Sequence, residues 1–161
     1  MRFLCALVLA ASARAQPALS EPTLSKPTWS ELVQAHNAVR TQIKLPPLVW
    51  SDKIAVIAQQ WADRLVARDE FFHRPKSAYG ENMFKIVGAA TSPARVVKEW
   101  AAEAADYDYA SNRCKGVCGH YTQLVWRDTK QLGCGVARHA RIEIWVCDYN
   151  PPGNWVGQRP Y

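Results

Sequence analysis

The chain carries four histidines, His36, His73, His120 and His139. Two of them stand where the backbone bends. His73 follows Phe71-Phe72 and precedes Pro75, and His120 follows Gly119 at the entry to HYTQLVW. Two glutamates have comparable settings. Glu81 sits in Tyr79-Gly80-Glu81-Asn82, where the glycine lets the chain turn beside a carboxylate. Glu103 falls about 20° around a helix from Val96, at the border of the apolar face, whereas Glu99 falls about 60° away and is more easily solvated. A carboxylate at the edge of a buried face costs free energy unless it is partnered, and a histidine is a natural partner. If these four side chains meet in one cleft, the imidazoles could ligate a divalent ion while the carboxylates orient them. The same set could also perform general acid–base chemistry.

Spacing alone leaves this open. No H-E-x-x-H, paired C-x-x-C or G-x-S-x-G motif occurs, and there is no paired-aspartate motif. For a lone His or Glu, a satisfied polar contact is the simpler reading. His36, on the first expected helix, and His139, in an expected turn, are assigned to it.

The elements that must position these groups fit one domain. The 161 residues are 48% hydrophobic and 21% charged, which suits a folded core and excludes disorder over the whole chain. Seven tryptophans spread along the sequence suit an aromatic-rich core. Residues 1–15, MRFLCALVLAASARA, read as a cleaved signal peptide, with an apolar run too short to span a bilayer and an Ala13-Arg14-Ala15 cleavage signal. Losing Arg2 and Arg14 lowers the formal net charge from +6 to +4. That balance allows weak attraction to acidic lipid or polysaccharide surfaces, and it supports no nucleic-acid site because the cations do not cluster. An exported monomer with no transmembrane segment is expected, extracellular, or periplasmic or surface-bound in a bacterium.

Cleavage also removes Cys5 and leaves Cys114, Cys118, Cys134 and Cys147. Four cysteines allow three pairings. The tight Lys115-Gly116-Val117 loop favours 114–118, and two expected adjacent strands favour 134–147. A zinc site built from all four is the rival, made poor by the export signal.

Residues 16–28 read as a Pro/Ser-rich linker. Thr28 and Glu31 then form a capping box, with Leu32, Ala35, Val39 and Ile43 at helical spacing until Pro46-Pro47. A second helix starts at Ser51-Asp52 with Ile54, Ile57, Ala58, Trp61 and Leu65 on one face, and a third at Ser92-Pro93. A short helix or turn covers residues 120–126. Segments 130–137 and 141–149 form a hairpin around Arg138-His139-Ala140, and 82–87 supplies another strand. At the C-terminus, Pro151-Pro152-Gly153-Asn154 should turn and Trp155 should dock back on the domain. Helices followed by a late hairpin imply an α+β fold with an antiparallel sheet.

Four stretches, AHNAVR (35–40), YGEN (79–82), CGHYTQLVW (118–126) and CDYNPPGNWVGQRPY (147–161), closely resemble the CAP superfamily, over essentially residues 29–161. That group includes cysteine-rich secretory proteins, insect-venom antigens and pathogenesis-related class-one proteins, and the last are the most similar. The resemblance implies a three-layer α-β-α sandwich with a central antiparallel sheet and a cleft. It implies that His73, Glu81, Glu103 and His120 form the cleft tetrad, with His73 and His120 able to hold zinc or another divalent cation that is not obligatory. There are departures. Plant-type members usually have six cysteines, whereas Asp69 and His139 stand here where the third pair would be, and Asp148 replaces a usual asparagine.

Three functions follow from the resemblance. The leading expectation is a secreted binding protein without turnover, for a sterol or other lipid, in a defence or antimicrobial role. The loop Tyr107-Asp108-Tyr109 resembles a region given a sterol role in relatives, although Cys114 stands where a third aromatic is expected. The alternatives are a zinc-assisted hydrolase or protease, with His73 and His120 as ligands and Glu81 or Glu103 as base, and the precursor of a signalling peptide spanning Pro151 to Tyr161.

Overall fold

The computed structural model describes residues 26–161; the expected signal peptide and residues 16–25 of the expected linker lie outside them. The first helix, α1, spans Lys26–Gln42, and thus begins two residues before the capping box. Proline is tolerated in a first helical turn because its missing N–H has no partner there anyway, so Pro27 does not delay the start. Thr28 therefore lies inside the first turn, and residues 26–28 of the expected linker belong to α1.

A two-residue strand β1 (Val49–Trp50) leads into α2 (Asp52–Arg68), whose N-cap is Ser51. Asp69 closes α2 in the left-handed conformation, φ 50°. Strand β2 is Gly80–Val87, and α3 is Pro93–Ala102 with Ser92 as N-cap. A single 3-10 turn, Glu103–Asp106, follows α3, so Glu103 lies just past the helix on which its angle was reckoned. A small ribbon pairs β3 (Tyr107–Asp108) with β4 (Arg113–Cys114), neither of which the hydrophobic pattern announced. Helix α4 is short, Gly119–Leu124. The long hairpin is β5 (Gln131–His139) and β6 (Ile142–Asn150). Its turn is Ala140-Arg141, so His139 closes a strand and pairs with Ile142 instead of sitting in the turn.

The main sheet has the order β1-β5-β6-β2. Strands β5, β6 and β2 are antiparallel, but β1 joins β5 in parallel. The three long strands thus form the expected antiparallel sheet, and the two-residue β1 at its edge makes it mixed. Two residues suffice for β1 because Val49 N–H donates to Lys130 O and Ser51 N–H to Leu132 O, which fixes the chain between α1 and α2.

Side-chain parity along β6 divides the core. Trp145, Cys147 and Tyr149 face a cluster containing Leu32 of α1, Val96 and Trp100 of α3 and Leu124 of α4. Ile144 and Val146 face Ala58, Trp61, Ala62 and Leu65 of α2. The result is three layers: α1, α3 and α4, then the sheet, then α2. Strand β5 presents Gly133, Gly135 and Ala137 to α2. A Cβ at Gly133 would lie 2.3 Å from Ala55 N, and one at Gly135 would lie 2.3 Å from Gln59 Cα, so α2 rests on the strand backbone. Gln59 then reads the exposed ladder, donating to Val136 O and accepting from Val136 N–H. Cys134 and Cys147 are opposite each other on β5 and β6 and form one disulfide, and Cys114–Cys118 is the other.

The end of the chain is a strap, though not through Trp155. That ring is 56% exposed and donates to the nearby Pro152 O. Contact is made instead by Gly153, where a Cβ would come within 2.6 Å of Trp126, and by the last three residues. Arg159 donates to Tyr109 O and Ala110 O, Arg127 N–H donates to Pro160 O, and Tyr161 stacks on Tyr109 at 4.6 Å. A glycine lets the strap approach the indole closely, whereas a large aromatic in the same place has nowhere to enter.

Candidate functional site

The structure joins the four candidate residues as two His–Glu pairs at the start of β2, which is an edge strand. In the first pair, His73 Nδ1 lies 2.7 Å from Glu81 Oε1, and Arg74 N–H donates to the same oxygen at 3.0 Å. Glu81 is almost fully buried while His73 is 63% exposed, so the carboxylate is fixed and the imidazole reaches solvent. The hydrogen bond to Glu81 raises the pKa of His73 above its ordinary value, against a smaller opposing effect of desolvation.

In the second pair, His120 Nδ1 lies 2.5 Å from Glu103 Oε1. Glu103 Oε2 accepts from the backbone N–H groups of His120 and Tyr121, at 2.9 and 3.1 Å. These are donors in the first turn of α4 that have no partner within the helix, so Glu103 both orients His120 and closes the helix end. The His120 ring also stacks near Trp100, with centroids 6.1 Å apart.

Consecutive residues of β2 tie the pairs together. Glu81 lies opposite Asp148 and Asn82 opposite Cys147, and successive side chains of a strand point to opposite faces. Glu81 therefore holds His73 on the α2 side, while Asn82 Nδ2 donates to His120 O at 3.0 Å on the other side. No direct hydrogen bond or ion pair links one His–Glu pair to the other. Both imidazoles use Nδ1 on a carboxylate, which fixes the tautomer and leaves Nε2 as the available nitrogen.

Asp148 adds a third carboxylate on the Glu81 face. Its Oδ2 accepts from Arg74 Nη2 at 2.9 Å, and Arg74 also lies 4.0 Å from Glu81 Oε2. Asp148 Oδ1 and Glu81 Oε2 are buried without a hydrogen-bond partner. One guanidinium thus serves two carboxylates. Desolvation pushes Asp148 up to about 7, with the neighbouring Glu81 charge adding to it and Arg74 opposing it.

Two further polar residues are structural determinants: His36, which makes the satisfied polar contact expected of it, and Arg40, whose role was not anticipated. His36 is fully buried: Nδ1 donates to Leu32 O at 2.7 Å and Nε2 accepts from Tyr149 OH at 2.8 Å. Asn82 donates in turn to Tyr149 OH, so a chain of hydrogen bonds runs from α1 to the residue that holds His120. Burial lowers the His36 pKa to about 4. Arg40, also buried, donates to Pro46 O, Leu124 O, Trp126 O and Thr129 O, and desolvation lowers its pKa to about 10. The available signal was their spacing: Leu32, His36 and Arg40 recur every four residues on one helical stripe.

The loop residues Tyr107 and Tyr109 are already engaged. Tyr107 OH donates to Asn112 Oδ1, and Tyr109 OH donates to Tyr161 O beneath the stacked Tyr161 ring. A separate apolar hollow of about 310 Å³ opens between α1 and α3, walled by Ala35, Val39, Ile43, Val97 and Ala101 and closed by Tyr121.

An α-β-α sandwich with two carboxylate-bound histidines at a sheet edge defines a CAP-type domain. The family model for the cysteine-rich secretory protein family, CAP, matches residues 33–149, and the chain belongs to that family. It is 41% identical over 132 residues to pathogenesis-related protein 1 of Arabidopsis thaliana, covering 81% of each chain. To the basic form of pathogenesis-related protein 1 of Nicotiana tabacum it is 40% identical over 137 residues, covering 81% of this chain and 74% of the relative. Within the family it is therefore of the pathogenesis-related class-one type. The solved structure of venom allergen-like protein 4 of Schistosoma mansoni superposes with a TM-score of 0.70 at 25% identity, over 86% of this chain and 95% of that one. That of MpPR-1i superposes with a TM-score of 0.62 at 19% identity, over 83% and 95%, and shows the shared fold.

Proposed function

We propose that this is a secreted, non-enzymatic protein that binds the apolar part of a lipid or sterol in the groove between α1 and α3, in the defence setting its relatives' names indicate. The observation that carries this reading is the groove itself. Its walls are mostly aliphatic side chains of α1 and α3, against which an acyl chain or sterol edge could replace water. Lys98 and Gln42 stand on its lining and could meet a ligand's carboxylate or hydroxyl head. The engaged state of Tyr107 and Tyr109 argues for this groove over the aromatic loop. Two disulfides support an oxidising compartment. No helix among the described residues is long and apolar enough to cross a membrane.

The test is titration with a fluorescent fatty acid and a fluorescent sterol, comparing wild type with Ala101→Trp. Saturable binding that Ala101→Trp lowers at least tenfold is expected. Binding of neither probe, or binding indifferent to the substitution in a folded variant, would reject the groove.

The histidine pairs support a second, subsidiary role. His73 and His120 each present a free Nε2 from a ring whose Nδ1 is held by a carboxylate, the arrangement that prepares imidazoles as ligands. Zinc or another divalent ion would be held by those two nitrogens with solvent completing its shell, and when bound it would supply Lewis acidity. Among the described residues no group of three or more His, Cys, Asp and Glu side chains is arranged to hold a metal. Catalytic zinc sites use three protein ligands, so the hydrolase reading is the weaker one. Release of Pro151–Tyr161 as a peptide has weaker support too. Lys130 N–H donates to Asn150 O and Thr129 Oγ1 to Pro151 O, so the junction is part of the folded sheet end. Mass spectrometry of secreted protein finding truncated C-termini at Asn150 would restore that reading.

A further inference from the structure

The C-terminal end of α2 and the loop after it carry a surface that adjoins the His73–Glu81 pair through Arg74 and lies apart from the groove. Trp61 is its centre. The Arg64 guanidinium lies 5.1 Å from the Trp61 ring centroid and that of Arg74 5.7 Å, and Phe72 meets the same ring edge-on at 5.4 Å. A hollow of about 470 Å³ opens there, between α2 and Pro75. Phe71 and Phe72 are large apolar side chains left 44% and 39% exposed side by side at the end of α2.

The cations around them are mostly uncommitted. Arg74 is bound to Asp148, but Arg64, Arg68 and Lys76 are exposed and make no ion pair among the described residues. Nearby acids are occupied or set apart: Asp63 accepts from Gln59, Asp69 pairs with Lys85, and Glu70 is half-buried. Arg64 and Arg68 are four residues apart, on one helical stripe that leads to Phe71.

We infer that this end of α2 docks on anionic phospholipid bilayers, Phe71 entering the interface while Arg64, Arg68 and Lys76 meet headgroup phosphates. Exposed aromatic side chains beside long cationic ones suit a boundary that is apolar on one side and negatively charged on the other. Charge selects the occupant. A neutral apolar partner would leave three cations unanswered, and a small anion alone would leave the two phenylalanines in water. The surface lies on the α2 layer, opposite the α1–α3 groove, so it stands whether or not that groove binds lipid.

The experiment is co-sedimentation of the purified protein with vesicles of phosphatidylcholine alone and with about 30% phosphatidylglycerol. Expected are partitioning to the anionic vesicles only, its loss in about 0.5 M salt, and about fivefold weaker partitioning for each of Arg64→Gln and Arg68→Gln. Phe71→Ser should also weaken it. Should a helix variant fail to fold, Lys76→Gln in the loop provides the same reading. Equal partitioning to neutral vesicles, no partitioning, or variants indistinguishable from wild type would each overturn the inference. So would displacement from vesicles by millimolar-range glycerol phosphate, which would point to a small-anion site instead.

Discussion

Lowering the pH should draw on His36, and the size of the effect follows from its burial. In the folded chain the ring is sealed between Leu32 O and Tyr149 OH, and its pKa falls from 6.5 to about 4. The unfolded chain takes up a proton below 6.5, whereas the folded chain does not until about 4. Protons therefore favour unfolding across that interval. Linkage gives losses of about 0.8 kcal/mol at pH 6, about 2 at pH 5 and about 3 at pH 4. Asp148 acts in the opposite direction over the same range, because its pKa is raised from 3.8 to about 7. The wild-type curve should consequently be flatter than His36 alone would make it. The informative quantity is the difference between wild type and His36→Gln, measured by urea unfolding with tryptophan fluorescence at pH 7.5, 6, 5 and 4. The variant will be less stable at pH 7.5, since it disturbs a packed hydrogen-bond chain. Its deficit should shrink by about 3 kcal/mol between pH 7.5 and 4. Parallel curves for the two proteins would refute the claim that His36 is buried in its neutral form.

Other consequences are open to direct measurement. Asp148→Asn removes a group whose ionisation opposes folding as pH rises from about 4 to 7, so the variant's stability relative to wild type should rise by up to about 3 kcal/mol between pH 5 and 8 in urea titrations. Gly135→Ala would drive a methyl into Gln59 Cα and should cost about 1–3 kcal/mol, seen as a lower urea midpoint with an unchanged slope. Glu103→Ala strips the acceptor from His120 N–H and Tyr121 N–H and should cost about 1–3 kcal/mol, with faster amide exchange at those two positions and no change at His73.

The long helices and the hairpin were legible because their apolar residues follow regular periods. Ser51 and Ser92 cap α2 and α3, and Ile54, Ala58, Trp61 and Leu65 are buried as their spacing requires. The short strand β1 and the β3–β4 ribbon were not, because two residues carry no period and their pairing partners are distant in sequence. Trp155 misled for a different reason. Apolarity says that a side chain gains from burial, but not that a hollow of its size exists at that point. Among the site residues, the resemblance to CAP proteins selected His73, Glu81, Glu103 and His120, and geometry supplied what spacing could not: which glutamate serves which histidine. The partners of His36 and Arg40 were hidden because polar side chains on an apolar stripe say only that partners are needed. Those partners, Tyr149 and the carbonyls of residues 46, 124, 126 and 129, come from remote segments.

The start of β2 has a consequence for how the chain can vary. Gly80 gives Gln123 room, Glu81 serves one layer and Asn82 the other, all within three residues of an edge strand. Residues 75–79 form a loop that could absorb an insertion, whereas a single residue added between Gly80 and Asn82 would exchange the faces of everything that follows or force a bulge. Glu81 and Asn82 would then trade sides, and His73 would lose its carboxylate and His120 O its Asn82 donor in one event. Length variation among functional versions of this domain should therefore stop at Gly80, even where substitutions nearby are tolerated.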